Sequence, residues 1–253
     1  MNLRDIPVIV TGGASGLGAA TAQLLAAQGA KVGVFDLNAQ TGEPFARKLG
    51  GVFAKVDVTS EADVTAGLDR AQKAHGAARV LVNCAGISQP AKIVSRGEPQ
   101  PLDVFRKVIE INLIGTFNCI SKFAARLMQT ESDGTEERGV IINTASVAAF
   151  EGQVGQASYS ASKGGIVGMT LTIAREFADR GIRCLTIAPG LFMTPLFETL
   201  PRSALDSLTQ QTLFPKRLGM PEEYAHMVKS IIENPMLNGE TIRLDGGIRM
   251  QSR

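Results

Sequence analysis

Six times along these 253 residues a short apolar run gives way to a helical stretch. That alternation limits the fold more than any other feature of the chain. The runs are residues 7–11 (PVIVT), 31–36 (KVGVFD), 52–58, 79–84 (RVLVNC), 140–144, 182–188 and 240–244. Each is continuous rather than alternating, the pattern of a parallel strand covered on both faces. Between them, helices are expected over 16–28, 38–49, from a cap at Thr59 or Ser60 to about 73, over 102–128, 158–179 and 221–233. Gly29 is placed to end the first, Glu61 and Asp63 suit the first turn of the third, and Pro221 suits the first turn of the last. In the long helix, Leu102, Phe105, Ile109, Leu113, Thr116, Ile120, Ala124 and Leu127 fall on one stripe. Strand–helix repetition with right-handed crossovers predicts an α/β fold, a doubly wound parallel sheet of about seven strands in the Rossmann manner. A barrel of eight such units is one strand short. No linker divides the chain, so residues 1–253 are expected to be one domain. Two stretches break the rhythm: the polar 130–139 (TESDGTEERG) and the long segment 190–220.

Composition narrows the function. The 26 basic and 24 acidic residues leave a net charge of +2, which speaks against a nucleic-acid partner. Cys84, Cys119 and Cys184 form no CxxC pair and cannot make a disulfide framework. His75 and His226 lie far apart, a poor supply for zinc, so no metal is expected. No run approaches the ~18 apolar residues of a membrane span. Residues 1–5 with the run 6–10 are too short for a signal peptide. The expectation is a soluble, cytoplasmic protein that does not bind membranes.

The first strand leads into Thr11-Gly12-Gly13-Ala14-Ser15-Gly16-Leu17-Gly18, which opens the first helix. Glycines there let the backbone turn sharply and approach a pyrophosphate, and the helix start supplies N–H groups and a positive dipole end. An acid about 20 residues on completes the pattern of dinucleotide sites. Asp36, at the end of the second strand, is that acid. Its carboxylate suits adenosine ribose hydroxyls and repels a 2′-phosphate. No arginine lies at positions 35–38 to receive one, so NAD is expected rather than NADP.

Tyr159 and Lys163 are four apart near the start of a helix and share a face. Ser146 lies just past the fifth strand. A tyrosine with a pKa near ~10 is a poor acid–base group at neutral pH unless a neighbouring ammonium favours the phenolate. A serine hydroxyl can hold a reacting oxygen in place.

These motifs resemble those of the short-chain dehydrogenase/reductase family, and the likeness spans the chain. It rests on Thr11–Gly18, Asp57, Asn83-Cys84-Ala85-Gly86, Asn112, Ser146, Tyr159 with Lys163, and Pro189-Gly190. The resemblance implies Tyr159 as general acid/base and Lys163 as the residue that binds the nicotinamide ribose and lowers the tyrosine pKa. It implies Ser146 orienting the substrate oxygen and Asn112 holding a water in a proton relay. Gly12, Ser15, Gly16, Leu17, Gly18, Asp36, Asp57, Val58, Asn83, Cys84, Ala85, Gly86, Pro189, Gly190 and Phe192 would line the cofactor site, with Asp57 and Val58 at the adenine. Cys84 stands where the family has Asn or Ala, which leaves only backbone contacts secure there.

Stretches 139–168, 186–196, 223–240 and 242–250 are most similar to the family branch of type-2 3-hydroxyacyl-CoA dehydrogenases. The resemblance then implies NAD-linked interconversion of 3-hydroxyacyl-CoA and 3-ketoacyl-CoA, part of fatty acid metabolism. Another secondary alcohol or ketone (a hydroxysteroid, a ketoacyl carrier-protein thioester or a sugar) and a cofactor-binding scaffold stay open. Segment 190–220 leaves the carboxyl edge of the sheet carrying Leu191, Phe192, Met193, Leu196, Phe197, Leu200, Leu205, Leu208, Leu213 and Phe214, enough to line an acyl pocket. Arg202, Lys216, Arg217, Lys92 and Arg96 are candidates for coenzyme A phosphates. The family commonly forms homotetramers. Leu113, Ile114, Phe117 and Ile120 give the long helix more apolar surface than one sheet face can bury.

Overall fold

In the computed structural model, residues 1–130, 136–194 and 208–252 are described. A seven-stranded parallel sheet runs through them: β1 (Pro7–Thr11), β2 (Lys31–Asp36), β3 (Val52–Lys55), β4 (Val80–Asn83), β7 (Gly139–Thr144), β8 (Ile182–Pro189) and β9 (Thr241–Leu244). A separate antiparallel hairpin, β5 (Val94–Ser95) and β6 (Glu98–Pro99), follows β4. The order across the main sheet is β3-β2-β1-β4-β7-β8-β9. The chain therefore winds outward from β1 and then returns to start again at β4 on its other side. The loops after β1 and β4 leave the carboxyl edge in opposite directions, and a crevice opens between them.

Continuous apolar strands give the sheet two dry faces. Val8 and Val10 point to one face and Ile9 to the other. The first face packs α1 (Gly16–Ala27), α2 (Ala39–Lys48) and α7 (Pro221–Glu233). The second packs α3 (Glu61–His75), α5 (Gly115–Gln129) and α6 (Ala157–Phe177). Asn38 and Ser60 cap α2 and α3 through Thr41 and Asp63 N–H groups, as helix starts require. Among the described residues, no helix is long and apolar enough to cross a membrane.

The expected uninterrupted helix 102–128 is not one. It is α4 (Leu102–Ile109), a π-helical turn at Glu110–Ile114, then α5. Thr116, Ile120, Ala124 and Leu127 are buried as the stripe requires, but Leu102 at its far end is 58% exposed. A π turn inserts one extra residue and rotates all that precedes it, so a 3.6-residue period cannot hold across it. The third strand also ends at Lys55, three residues short of the expected limit.

Candidate active site

Two glycines explain how the loop after β1 can be so tight. Gly12 has φ +60, and a Cβ there would lie 2.8 Å from the Ala85 nitrogen of the loop after β4. A Cβ on Gly18 would collide with the Gly12 carbonyl oxygen. The chain folds over itself, and α1 begins at Gly16 with its N–H groups facing the crevice. Ser15, the residue before it, makes no side-chain cap, so its hydroxyl is left for another partner.

The crevice is a cleft of about 720 Å³. Gly12, Ser15, Gly16, Leu17, Gly18, Asp36, Asp57, Val58, Cys84, Ala85, Gly86, Ser146, Tyr159, Lys163, Pro189, Gly190 and Phe192 all line it. Asp36 accepts from Ala14 N–H on one carboxylate oxygen and from Asn38 N–H on the other, both at 3.0 Å. A carboxylate offers about four lone pairs, so each oxygen keeps one for a further donor. Asp57 uses one oxygen for Thr59, backbone and hydroxyl, at 2.9 and 2.7 Å. Gly190 passes so close to the residue after β9 that a Cβ would lie 2.9 Å from the Asp245 Cα.

Asn83 and Asn112 do not line the cleft. Asn83 faces Asn143 across β4–β7 and donates to its Oδ1 at 2.9 Å, a pin inside the sheet. The Asn112 side chain is fully buried in the π turn. Its Oδ1 accepts from Ile87 N–H at 2.8 Å, while Nδ2 donates to the Ile87 carbonyl at 2.9 Å and to Ser162 Oγ at 3.0 Å. Both amide protons are committed, so the side chain clamps the loop after β4 to α6.

Tyr159 and Lys163 stand one turn apart on α6, and Ser146 follows β7. Ser146 accepts from Ala148 N–H at 3.1 Å, and both it and Tyr159 line the cleft. Lys163 is 5% exposed and donates to the Thr144 carbonyl at 2.7 Å. Its ammonium sits 5.6 Å from the Tyr159 ring centre, over the ring. Burial lowers the Lys163 pKa from 10.5 to about 8. Burial raises that of Tyr159, and the neighbouring Ser146 hydroxyl opposes the rise. Lowering of the tyrosine pKa by the lysine, expected above, is not the dominant effect; desolvation is.

Sequence reasoning missed what lies behind the lysine. Tyr224 of α7, fully buried, has its hydroxyl 2.7 Å from Thr144 Oγ1, which itself reaches the Asn83 carbonyl at 2.6 Å. The threonine hydroxyl donates to that carbonyl, so Tyr224 is the donor in the first contact. Cys84 Sγ completes the cluster 3.8 Å from Tyr224, and burial pushes its thiol pKa up. Thr144, Ala145, Ile87 and Ser88 also line the cleft, at the same strand ends as the expected residues. That shared strand-end position was the available signal.

Of the basic residues considered for phosphates, Lys92 and Arg96 are exposed at the hairpin. Arg217 is held by Glu223 through two bonds of 2.6 and 2.7 Å, and Lys216 is exposed. Arg202, Leu196, Phe197, Leu200 and Leu205 lie outside the described residues, as does 131–135 of the polar loop. Phe192 is buried against Gly219, while Leu213 and Phe214 are 68% and 82% exposed.

A nucleotide-shaped crevice at the strand-order reversal, with a serine, tyrosine and lysine at one end, defines an oxidoreductase that works with a nicotinamide cofactor. The family profile described as "short chain dehydrogenase" matches residues 7–204, and the chain belongs to that family. It is 56% identical to "3-hydroxyacyl-CoA dehydrogenase type-2" of Homo sapiens, over 99% of this chain and 97% of that protein. It is 52% identical to the protein of the same name from Drosophila melanogaster, over 98% and 99%. The crystal structure of 3-hydroxyacyl-CoA dehydrogenase type-2 from Mycobacterium avium superposes with a TM-score of 0.94 at 38% identity, covering 98% of this chain and 97% of that one.

Proposed function

We propose that this protein interconverts 3-hydroxyacyl-CoA and 3-ketoacyl-CoA with NAD, and that residues 1–253 act as one unit in which segment 190–220 contributes the substrate side. The observation that carries it is the convergence of Ser146, Tyr159 and Lys163 at one end of a cleft whose other end holds Asp36. The relatives' names supply the substrate class. The cofactor fits the residues present: Gly12 and Gly18 leave a cradle that a Cβ would fill, and Asp36 keeps lone pairs for ribose hydroxyls. When bound, nicotinamide exchanges a hydride with the substrate carbon and, in its oxidised form, brings a positive ring that favours a phenolate.

The other steps belong to the chain. Ser146 orients the substrate oxygen. Tyr159 takes the hydroxyl proton in oxidation and returns it in reduction. Lys163 keeps two N–H donors beyond its bond to Thr144, enough for the nicotinamide ribose. Asp57 keeps one carboxylate oxygen free of the Thr59 bonds, and with Val58 it forms the adenine end. With the Asn112 side chain committed and Thr116 Oγ1 donating to its backbone carbonyl at 2.7 Å, the second lone pair of that carbonyl is what is left to hold a relay water.

Assembly as a homotetramer is supported by apolar surface on the π turn, α5 and α6: Ile114, Phe117 and Leu171 are 45–56% exposed. Ile120, also considered for that surface, is buried in the core.

The test is a turnover screen with NAD across 3-hydroxyacyl-CoAs, free 3-hydroxy acids, hydroxysteroids and simple alcohols. A short or medium 3-hydroxyacyl-CoA is expected to be oxidised far better than its free acid, because remote binding energy positions the reacting carbon. Equal kcat/KM for the free acid, or a steroid outrunning every thioester, refutes the substrate and leaves the dehydrogenase chemistry standing.

A further inference from the structure

The segment between Ser146 and Tyr159 carries one catalytic side chain at each end, so its path sets their separation. After a short 3-10 turn at Val147–Ala149 it has no regular structure until α6 begins. It is held from both sides instead. On one side Ala91 N–H donates to the Gly155 carbonyl at 2.8 Å, joining it to the stem of the hairpin. On the other lies the C-terminal stretch 248–252. Val154 N–H donates to the Ser252 carbonyl at 3.1 Å, Gln153 Nε2 to the Gln251 carbonyl at 3.0 Å, and Met250 N–H to Glu151 Oε2 at 3.0 Å.

Glu151 is the centre of that contact. Arg243, on edge strand β9, grips both of its oxygens at 2.8 and 3.1 Å. The same guanidinium donates to Asp245 at 2.8 Å and to the Ile248 carbonyl at 3.0 Å, and lies 5.3 Å over the Phe150 ring. Arg249 reaches Glu151 at 3.4 Å and Asp245 at 3.3 Å. Glu151 and Arg243 are only 22% and 23% exposed, so this bidentate pair is shielded where an ordinary surface pair is not. Arg243 holds the Glu151 carboxyl below the usual carboxylate range, so it is charged at neutral pH.

We propose that Glu151 is a positioning residue that fastens the C-terminal stretch against the Ser146–Tyr159 segment and so fixes the separation of the two side chains at its ends. The inference rests on the catalytic roles given above for Ser146 and Tyr159. A clamp that only stabilised the fold could sit anywhere on β9. This one closes on the single segment whose two ends handle the reacting oxygen, and it leaves the adenine end untouched. It should therefore act on substrate, not on cofactor.

Glu151→Gln keeps an oxygen for Met250 N–H and removes the charge that holds Arg243. A second variant, a chain ending at Arg249, leaves the Glu151–Arg243 pair whole and removes what it fastens. Each is expected to raise the substrate KM by about tenfold, short of the ~10² that a 1 Å misplacement can cost, with the NAD KM within about twofold of wild type. Combined, they should be no worse than either alone, because both break one connection. Amide hydrogen exchange over 146–156 should rise in both variants, a readout independent of which alcohol is the substrate. Faster exchange with no thioester turnover by the wild type would keep the clamp and reject the proposed substrate. An unchanged substrate KM, a cofactor KM that moves equally, additive effects, or unchanged exchange would overturn the positioning role.

Discussion

Lys163 is expected to be a destabilising residue that its chemistry requires. Burial brings its pKa from 10.5 to about 8 even with the Thr144 carbonyl as partner. That displacement corresponds to about 3 kcal/mol of lost stability at pH 7. The sign follows from proton counting. Below pH 8 the lysine is charged in both folded and unfolded chains, and the cost is fully present. Between pH 8 and 10.5 the unfolded chain keeps a proton that the folded one has released, so stability rises with pH. Lys163→Met fills similar volume without charge and leaves the Thr144 carbonyl short of a donor, a loss of about 1–2 kcal/mol. The net expectation at pH 7 is a gain of about 1–2 kcal/mol, or several degrees in Tm for a chain of this length. At pH 9.5 the wild type recovers about 2 kcal/mol of its deficit and the advantage disappears. Urea unfolding at equal protomer concentration, followed by circular dichroism at both pH values, measures this. Turnover should meanwhile fall by at least ~10². A variant less stable than wild type at pH 7, or a difference that does not change with pH, would refute the buried-charge account.

Tyr159→Phe should leave NAD affinity nearly intact and lower kcat by at least ~10², measured by NADH absorbance; near-normal turnover would remove Tyr159 from the acid–base role. Ultraviolet titration of the enzyme without cofactor should show Tyr159 ionising above 10, the direction its burial imposes, and the phenylalanine variant should lose that step and keep only Tyr224, whose burial pushes it higher still. Asp36 should set a preference for NAD over NADP of more than ~10-fold in kcat/KM, a difference of about 1.4 kcal/mol. Asp36→Ala should narrow it, and equal use of both cofactors by the wild type would contradict the ribose role. Phe117→Glu should lower the mass seen by light scattering at micromolar concentration; a monomeric wild type would dismiss the assembly.

The sheet was legible because its strands are continuous apolar runs, and only strands covered on both faces need that. β1, β2 and α7 begin and end where the residue patterns put them. The loop after β1 was legible for a related reason. Its backbone passes close to backbone, and such approaches leave their mark in the glycines that permit them, Gly12 and Gly18 above all. The hairpin at Val94–Pro99 left almost no mark: its strands are two residues each, and all four strand residues are exposed. No burial pattern could announce it.

Asn112 shows where such reading stops. The family resemblance gave it a site role, but its environment is a π turn, and no periodicity distinguishes a π turn from the α-helix on either side. The turn places the amide deep enough to hold Ile87 on one loop and Ser162 on α6 with one side chain. Tyr224 makes the same point from farther away. It is eighty residues from Thr144 in sequence and 2.7 Å from it in space. Thr144 carries both the carbonyl that steadies Lys163 and the hydroxyl that Tyr224 meets. The position of the Lys163 ammonium thus depends on a strand end packed by a helix from the far end of the chain. A motif marks the residues that face the ligand; their placement is owed to partners that face away from it, and those partners are specified by packing rather than by spacing.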